Sequence, residues 1–193
     1  MVKVVRSLKG KKRIYIDVEL ELNELAALGR LTAQWSHLEH LIYEISVILA
    51  KNSTIELPSG VSSKSFSNRI SAFRQLILRH YDEPEKSKFE KILSRIANIE
   101  QDRHKLIHGT WDWHPADPTR IVARCDRPNV EFEKSFDFER IFELGTRIGE
   151  INFELSCPDG IDSFNEERAA SGFAISRLGM QLLTRKAQLP KIA

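Results

Sequence analysis

Four side chains close to the end of one helical segment can do chemistry together. They are Glu100, Arg103, His104 and His108, in the stretch IANIEQDRHKLIHGTWDW at residues 96–113. Imidazole exchanges a proton near neutral pH, and guanidinium holds anions through a planar fork of donors. Glu100, His104 and His108 share one helix face at i, i+4 spacing, so acid and imidazole gather within about two turns. Arg103 belongs to a different line. The apolar stripe Ile92, Ile96, Ile99 continues to position 103 and then to Leu106, so a charge stands where the pattern asks for a core residue. Burying a guanidinium without a partner costs several kcal/mol, so Arg103 must meet a carboxylate, an anion or a water-filled cleft. On an ideal helix Arg103 and His108 point roughly 140° apart. A helix that ends at Gly109 lets His108 swing, and the length of Arg103 closes part of the gap.

Plainer roles compete for the same residues. Arg103 can form a buried ion pair with Glu39 of the first helix and fix the bundle register. His108 can cap the negative end of its helix. His104 and His108, with His37 and His40 as a second pair, have the spacing of zinc ligands. HKLIH nevertheless lacks the glutamate of HExxH and no further ligand is positioned with it, so no metal site is assigned. Trp111 and Trp113 alternate in a short β-like run, where one indole packs inward and the other is free to stack on a base. Lys86, Lys88, Lys91 and Arg95 form a basic run interspersed with Glu85 and Glu90, the pattern of a solvated helix face.

The elements that position these residues follow from periodicity. Two short β-like runs occupy residues 2–21, and Asn23 offers an N-cap. Leu28, Leu31, Trp35, Leu38, Ile42, Ile45 and Leu49 then form one stripe along a helix of roughly seven turns. Residues 52–67 are rich in Ser, Pro and Gly and predict a loop, and residues 67–81 predict a second helix with Ile70, Phe73, Leu76 and Ile77 inward. The third starts after Pro84 and ends near Gly109. Residues 110–136 hold three β-like runs, an insertion of hairpin type. Helical patterning resumes at Asp137, with Phe138, Ile141, Phe142, Leu144, Ile148 and Ile151, and again over residues 162–186. The fold class is mainly α: a bundle of four to five helices with a short N-terminal β segment and a small β insertion, in one domain over residues 1–193.

Composition narrows the class. With 29 Lys+Arg against 27 Asp+Glu, the net charge of +2 excludes a histone-like nucleic-acid binder but not a local basic cleft. No run approaches the ~18 apolar residues of a membrane span, which predicts no membrane partner. Cys125 and Cys157 lack a CxxC pattern and the N-terminus lacks an apolar leader, which together predict a reduced, cytoplasmic protein. Phosphate-binding glycine loops and a G-x-S-x-G elbow are absent, so no cofactor is expected.

Arg103-His104-x-x-x-His108, followed by Gly109 and Trp111, resembles the R-x4-6-H motif of HEPN domains. The layout over residues 22–187 is also similar, with a long first helix carrying Trp35-Ser36-His37-Leu38-Glu39. Arg30…His37 and Arg74…His80 also satisfy an R-x4-6-H spacing. Arg103 is favoured because its successor is polar, it interrupts an apolar stripe and its histidine sits at a glycine-terminated helix end. The resemblance implies a bundle that forms a homodimer, with two motifs facing each other across a basic cleft. It also implies metal-independent cleavage of RNA, as in a toxin or antiphage effector, with a cognate antitoxin such as a minimal nucleotidyltransferase among its partners. His108 would then move a proton at the ribose 2′-OH or the leaving 5′-oxygen, and Arg103 would stabilise the phosphorane charge. His104 would orient the phosphate or act as the second acid–base group, with Glu39, Glu100 and Trp111 as binding residues. The alternative is a non-catalytic HEPN-like module for RNA binding or dimerisation.

Overall fold

The longest apolar stripe in the chain dictates the longest element. In a computed structural model, which describes residues 3–6, 12–15, 20–114, 117–127 and 130–157, helix α1 runs over Leu22–Asn52. Leu28, Leu31, Trp35, Leu38, Ile42 and Leu49 are buried along it, while Ile45 is half-buried. Its start differs from the expected cap. Asn23 lies inside the first turn, where its Oδ1 accepts the Glu24 amide at 2.8 Å. The cap is Glu21, whose amide donates to the Glu24 carboxylate at 2.8 Å, one half of the reciprocal bonding of a capping box.

Ahead of α1, strands β1 (Lys3–Arg6) and β2 (Lys12–Tyr15) pair antiparallel. Behind it, the loop contains a 3-10 turn at Ser59–Ser62 and leads into α2, Phe66–His80. Helix α3 covers Glu85–His108. Strands β3 (Thr110–His114), β4 (Asp117–Arg127) and β5 (Val130–Phe136) then form an antiparallel meander in chain order. Helix α4, Phe138–Ser156, follows at once, with the Asp137 carboxylate accepting the Arg140 amide at 2.8 Å as its N-cap. The protein is therefore mainly α with a small β insertion. The expected helix over residues 162–186 lies outside the described residues. Contacts divide the chain into two units, Met1–Leu155 and Ser156–Ala193, and of the second only Ser156 and Cys157 are described.

The core is built from one face of each helix. Leu31, Leu38 and Ile42 meet Phe73, Leu76 and Ile77, then Leu93, Ile96, Ile99 and Leu106, then Ile141, Leu144, Ile148 and Ile151. Each such side chain contributes about 1.5–3 kcal/mol on leaving water. Phe142 departs from the expected stripe and is 42% exposed, because Ile141, Leu144 and Ile148 already occupy the inward line and position 142 is turned about 100° from 141. Polar ties lock the helices in pairs. Asn152 of α4 donates to both the backbone and side-chain oxygens of Gln34 on α1 at 2.9 Å, and Arg95 of α3 grips Glu154 of α4 at 2.7 Å. No helix among the described residues is long and apolar enough to cross a membrane.

Candidate functional site

The last three turns of α3 carry the candidate residues, and the turn that follows fixes where they stop. Gly109 caps the helix with extended backbone, φ −75° and ψ 157°, rather than the left-handed conformation common at this position. Glycine is needed for space. A Cβ at 109 would lie 2.5 Å from the Lys105 carbonyl oxygen and 3.2 Å from the Ala123 Cβ, so β4 packs directly against the helix end. Trp111 completes the join. Its partly buried indole donates to the Leu106 carbonyl, one of the last-turn acceptors that the helix leaves without an intrahelical donor.

On the exposed face, the rings of His104 and His108 lie against each other with centroids 4.7 Å apart and planes at 50°. Glu100, one turn earlier, is half-buried. Burial pushes its carboxyl above the usual glutamate range, and the nearby His104 and Arg103 pull partly the other way. Acid and imidazoles therefore share one line, as the spacing requires.

Arg103 turns toward α1. Its guanidinium lies over the Trp35 ring, 5.1 Å from the centroid, and its Nε is buried without a hydrogen-bond partner. The expected ion pair with Glu39 is not formed. One Glu39 oxygen accepts the Trp35 indole at 2.8 Å, and the other lies 3.4 Å from the Arg69 guanidinium of α2. Trp35 also packs on Phe66, with centroids 4.6 Å apart, and Arg69 lies over Phe66 in turn at 5.7 Å. Both Glu39 oxygens are thus engaged, one by an indole and one by a second arginine. Among the described residues no carboxylate stands within ion-pair distance of Arg103.

Because α3 stays helical through His108, Arg103 and His108 leave it on different faces, roughly 140° apart. The structure brings together His104 with His108 and Arg103 with Trp35. The rival spacings end elsewhere. Arg74 pairs with Glu90 at 3.0 Å and His80 meets the Ser53 hydroxyl at 2.8 Å. Arg30 lies over Phe142 at 4.8 Å. His37 is exposed on α1 and His40 pairs with Glu44 at 3.2 Å. Among the described residues no three His, Cys, Asp or Glu side chains stand together as a metal site.

Sequence reasoning passed over Asp102 and Arg69, and named Trp35 only for its place in the first helix. Asp102 is 7% exposed, bonded to Lys134 of β5 and 3.4 Å from Arg140 of α4. Its signal was present: it stands three residues after Ile99 and four before Leu106, at core spacing. Arg140 also lines a cleft of about 550 Å³ with Arg120, Ser135, Asp137, Glu139 and Glu143. Both cations there already have carboxylates, Arg120 with Asp117 at 3.5 Å and Arg140 with Glu143 at 2.7 Å. The cleft offers an anion less than Arg103 does. No family model, curated protein or solved structure matches the chain.

Proposed function

We propose that this is a HEPN-like endoribonuclease of the cytoplasm that cleaves RNA by transesterification without a metal. The observation that carries the reading is a pair of touching imidazoles on one face of the α3 end and, on another face of the same helix, a guanidinium with no carboxylate in ion-pair distance among the described residues. His108 takes the proton of a ribose 2′-OH, the 2′-oxygen attacks the adjacent phosphorus, and the 5′-oxygen leaves with a proton from an acid. The products are a 2′,3′-cyclic phosphate and a 5′-hydroxyl. His104 holds the phosphate or serves as the second acid–base group, and Arg103 stabilises the charge that builds on the non-bridging oxygens. Since one α3 aims Arg103 and His108 apart, the full constellation is completed by a second copy facing the first.

The test is incubation of the protein with end-labelled single-stranded RNA in excess chelator. Cleavage to cyclic-phosphate ends is expected, and His108→Ala should abolish it while changing stability by no more than about 1–2 kcal/mol. Light scattering should return twice the chain mass. A second reading, a non-catalytic RNA-binding or dimerisation module, is favoured by one feature: Arg103 spends part of its guanidinium surface on Trp35. RNA binding by the parent without cleavage would establish it, and equal cleavage by His108→Ala would remove that residue from the mechanism.

A further inference from the structure

The Trp35 indole has a charged neighbour on its face and another at its edge. Arg103 lies over the ring, and Glu39 accepts from the Nε1–H. Glu39 is half-buried, and an unneutralised carboxylate there would act on Arg103 through a medium that screens poorly, lowering the positive potential on which an anion depends. The chain answers that charge from a third element. Arg69, on α2, reaches Glu39 at 3.4 Å with a side chain only 20% exposed, and its guanidinium also lies over the Phe66 ring. Its own Nε makes no hydrogen bond, so the side chain is not placed there by a full set of donors and acceptors. What the placement achieves is neutralisation of Glu39.

We infer that Arg69 is a positioning residue for the anion site: by neutralising Glu39 it leaves the Arg103 charge available to an RNA phosphate. This rests on the proposal that Arg103 binds phosphate. Two opposite charges within one indole of each other interact strongly enough, at the effective dielectric of a partly buried site, to change phosphate affinity roughly fivefold.

The experiment is fluorescence anisotropy of a labelled single-stranded oligoribonucleotide with the parent, Arg69→Met, Arg69→Met/Glu39→Gln and Arg103→Met proteins, each checked for cooperative thermal unfolding. Methionine keeps an unbranched side chain of similar length while removing the charge. Arg69→Met should bind roughly fivefold more weakly, and adding Glu39→Gln should restore parental affinity, because no carboxylate then remains to be neutralised. A structural role for Arg69 would not be rescued in this way, and neither would direct contact of Arg69 with the RNA. Unchanged affinity in Arg69→Met, or failure of Glu39→Gln to rescue it, overturns the inference while leaving the site intact, provided that Arg103→Met binds weakly. Parental affinity in Arg103→Met overturns the site itself and the inference with it. If Arg69→Met does not unfold cooperatively, Arg69→Gln carries the same comparison.

Discussion

Asp102 and Arg103 are consecutive on α3, and their surroundings treat the two charges in opposite ways. Asp102 faces β5 and α4, where Lys134 and Arg140 both reach it. Arg103 faces α1, where its guanidinium lies over an indole and the local carboxylate is already engaged by Arg69. One side of the helix satisfies its ion and the other leaves its ion to an aromatic face. A buried charge given two partners ties elements together. A partly buried charge given none is a cost unless something outside the chain binds it.

The comparison breaks most visibly at Asp102. Asp102→Ala strands Lys134 at the junction of α3, β5 and α4 and leaves Arg140 with Glu143 alone. Because Lys134 and Arg140 are each more than a third exposed and can rehydrate, the loss should be about 2–3 kcal/mol rather than the larger cost of a fully buried pair, read from urea denaturation. A change under about 0.5 kcal/mol would mean that the three-way contact holds nothing together.

Arg103→Met should move stability by only about 1 kcal/mol in either direction, because no carboxylate loses its partner and methionine still covers Trp35. RNA binding should fall in the same variant. A loss of about 3–5 kcal/mol would instead make Arg103 a strut like Asp102.

Glu100 sharpens the contrast through pH, with a smaller effect. Burial raises its carboxyl, so the folded state holds the proton more tightly than the unfolded state does. The stability contributed by the protonated form is complete below the unfolded glutamate range and is lost as pH rises through the folded value. Glu100→Gln should therefore melt higher than the parent at neutral pH, and the gap should close as pH falls below the ordinary carboxylate range. A gap that is independent of pH would show that the effect does not come from the charge.

Periodicity made the bundle legible because a single helix face is a local property. The stripe from Leu28 to Leu49, the break at Pro84 and the three β-like runs before Asp137 all appear where the spacing puts them. Position 103 was also legible as an interruption, since a charge in an apolar line shows without knowledge of any neighbour. Its partner was not. Glu39 looked available to Arg103 because nothing local to α1 reveals that Arg69 arrives from α2, beside Phe66. Which of Trp111 and Trp113 packs inward is illegible for a similar reason: the acceptor that claims Trp111, the Leu106 carbonyl, lies across a helix-to-strand turn. Gly109 is legible as a helix terminator, whereas the approach of β4 that leaves no room for a side chain there is set by a strand pairing more than ten residues away.

The order of the meander bears on how the chain assembles. Strands β3, β4 and β5 neighbour one another in chain order, so each ladder closes a short loop, with Ile121 opposite Phe136 at its widest in the second hairpin. The tie between Gln34 and Asn152 spans 118 residues. Closing that larger loop first would cost about 2 kcal/mol more chain entropy than closing the hairpin. The sheet, with α3 before it in the chain and α4 after it, can gather from sequence neighbours alone. Joining α1 to α4 is the long-range event, and on topological grounds it is the late one.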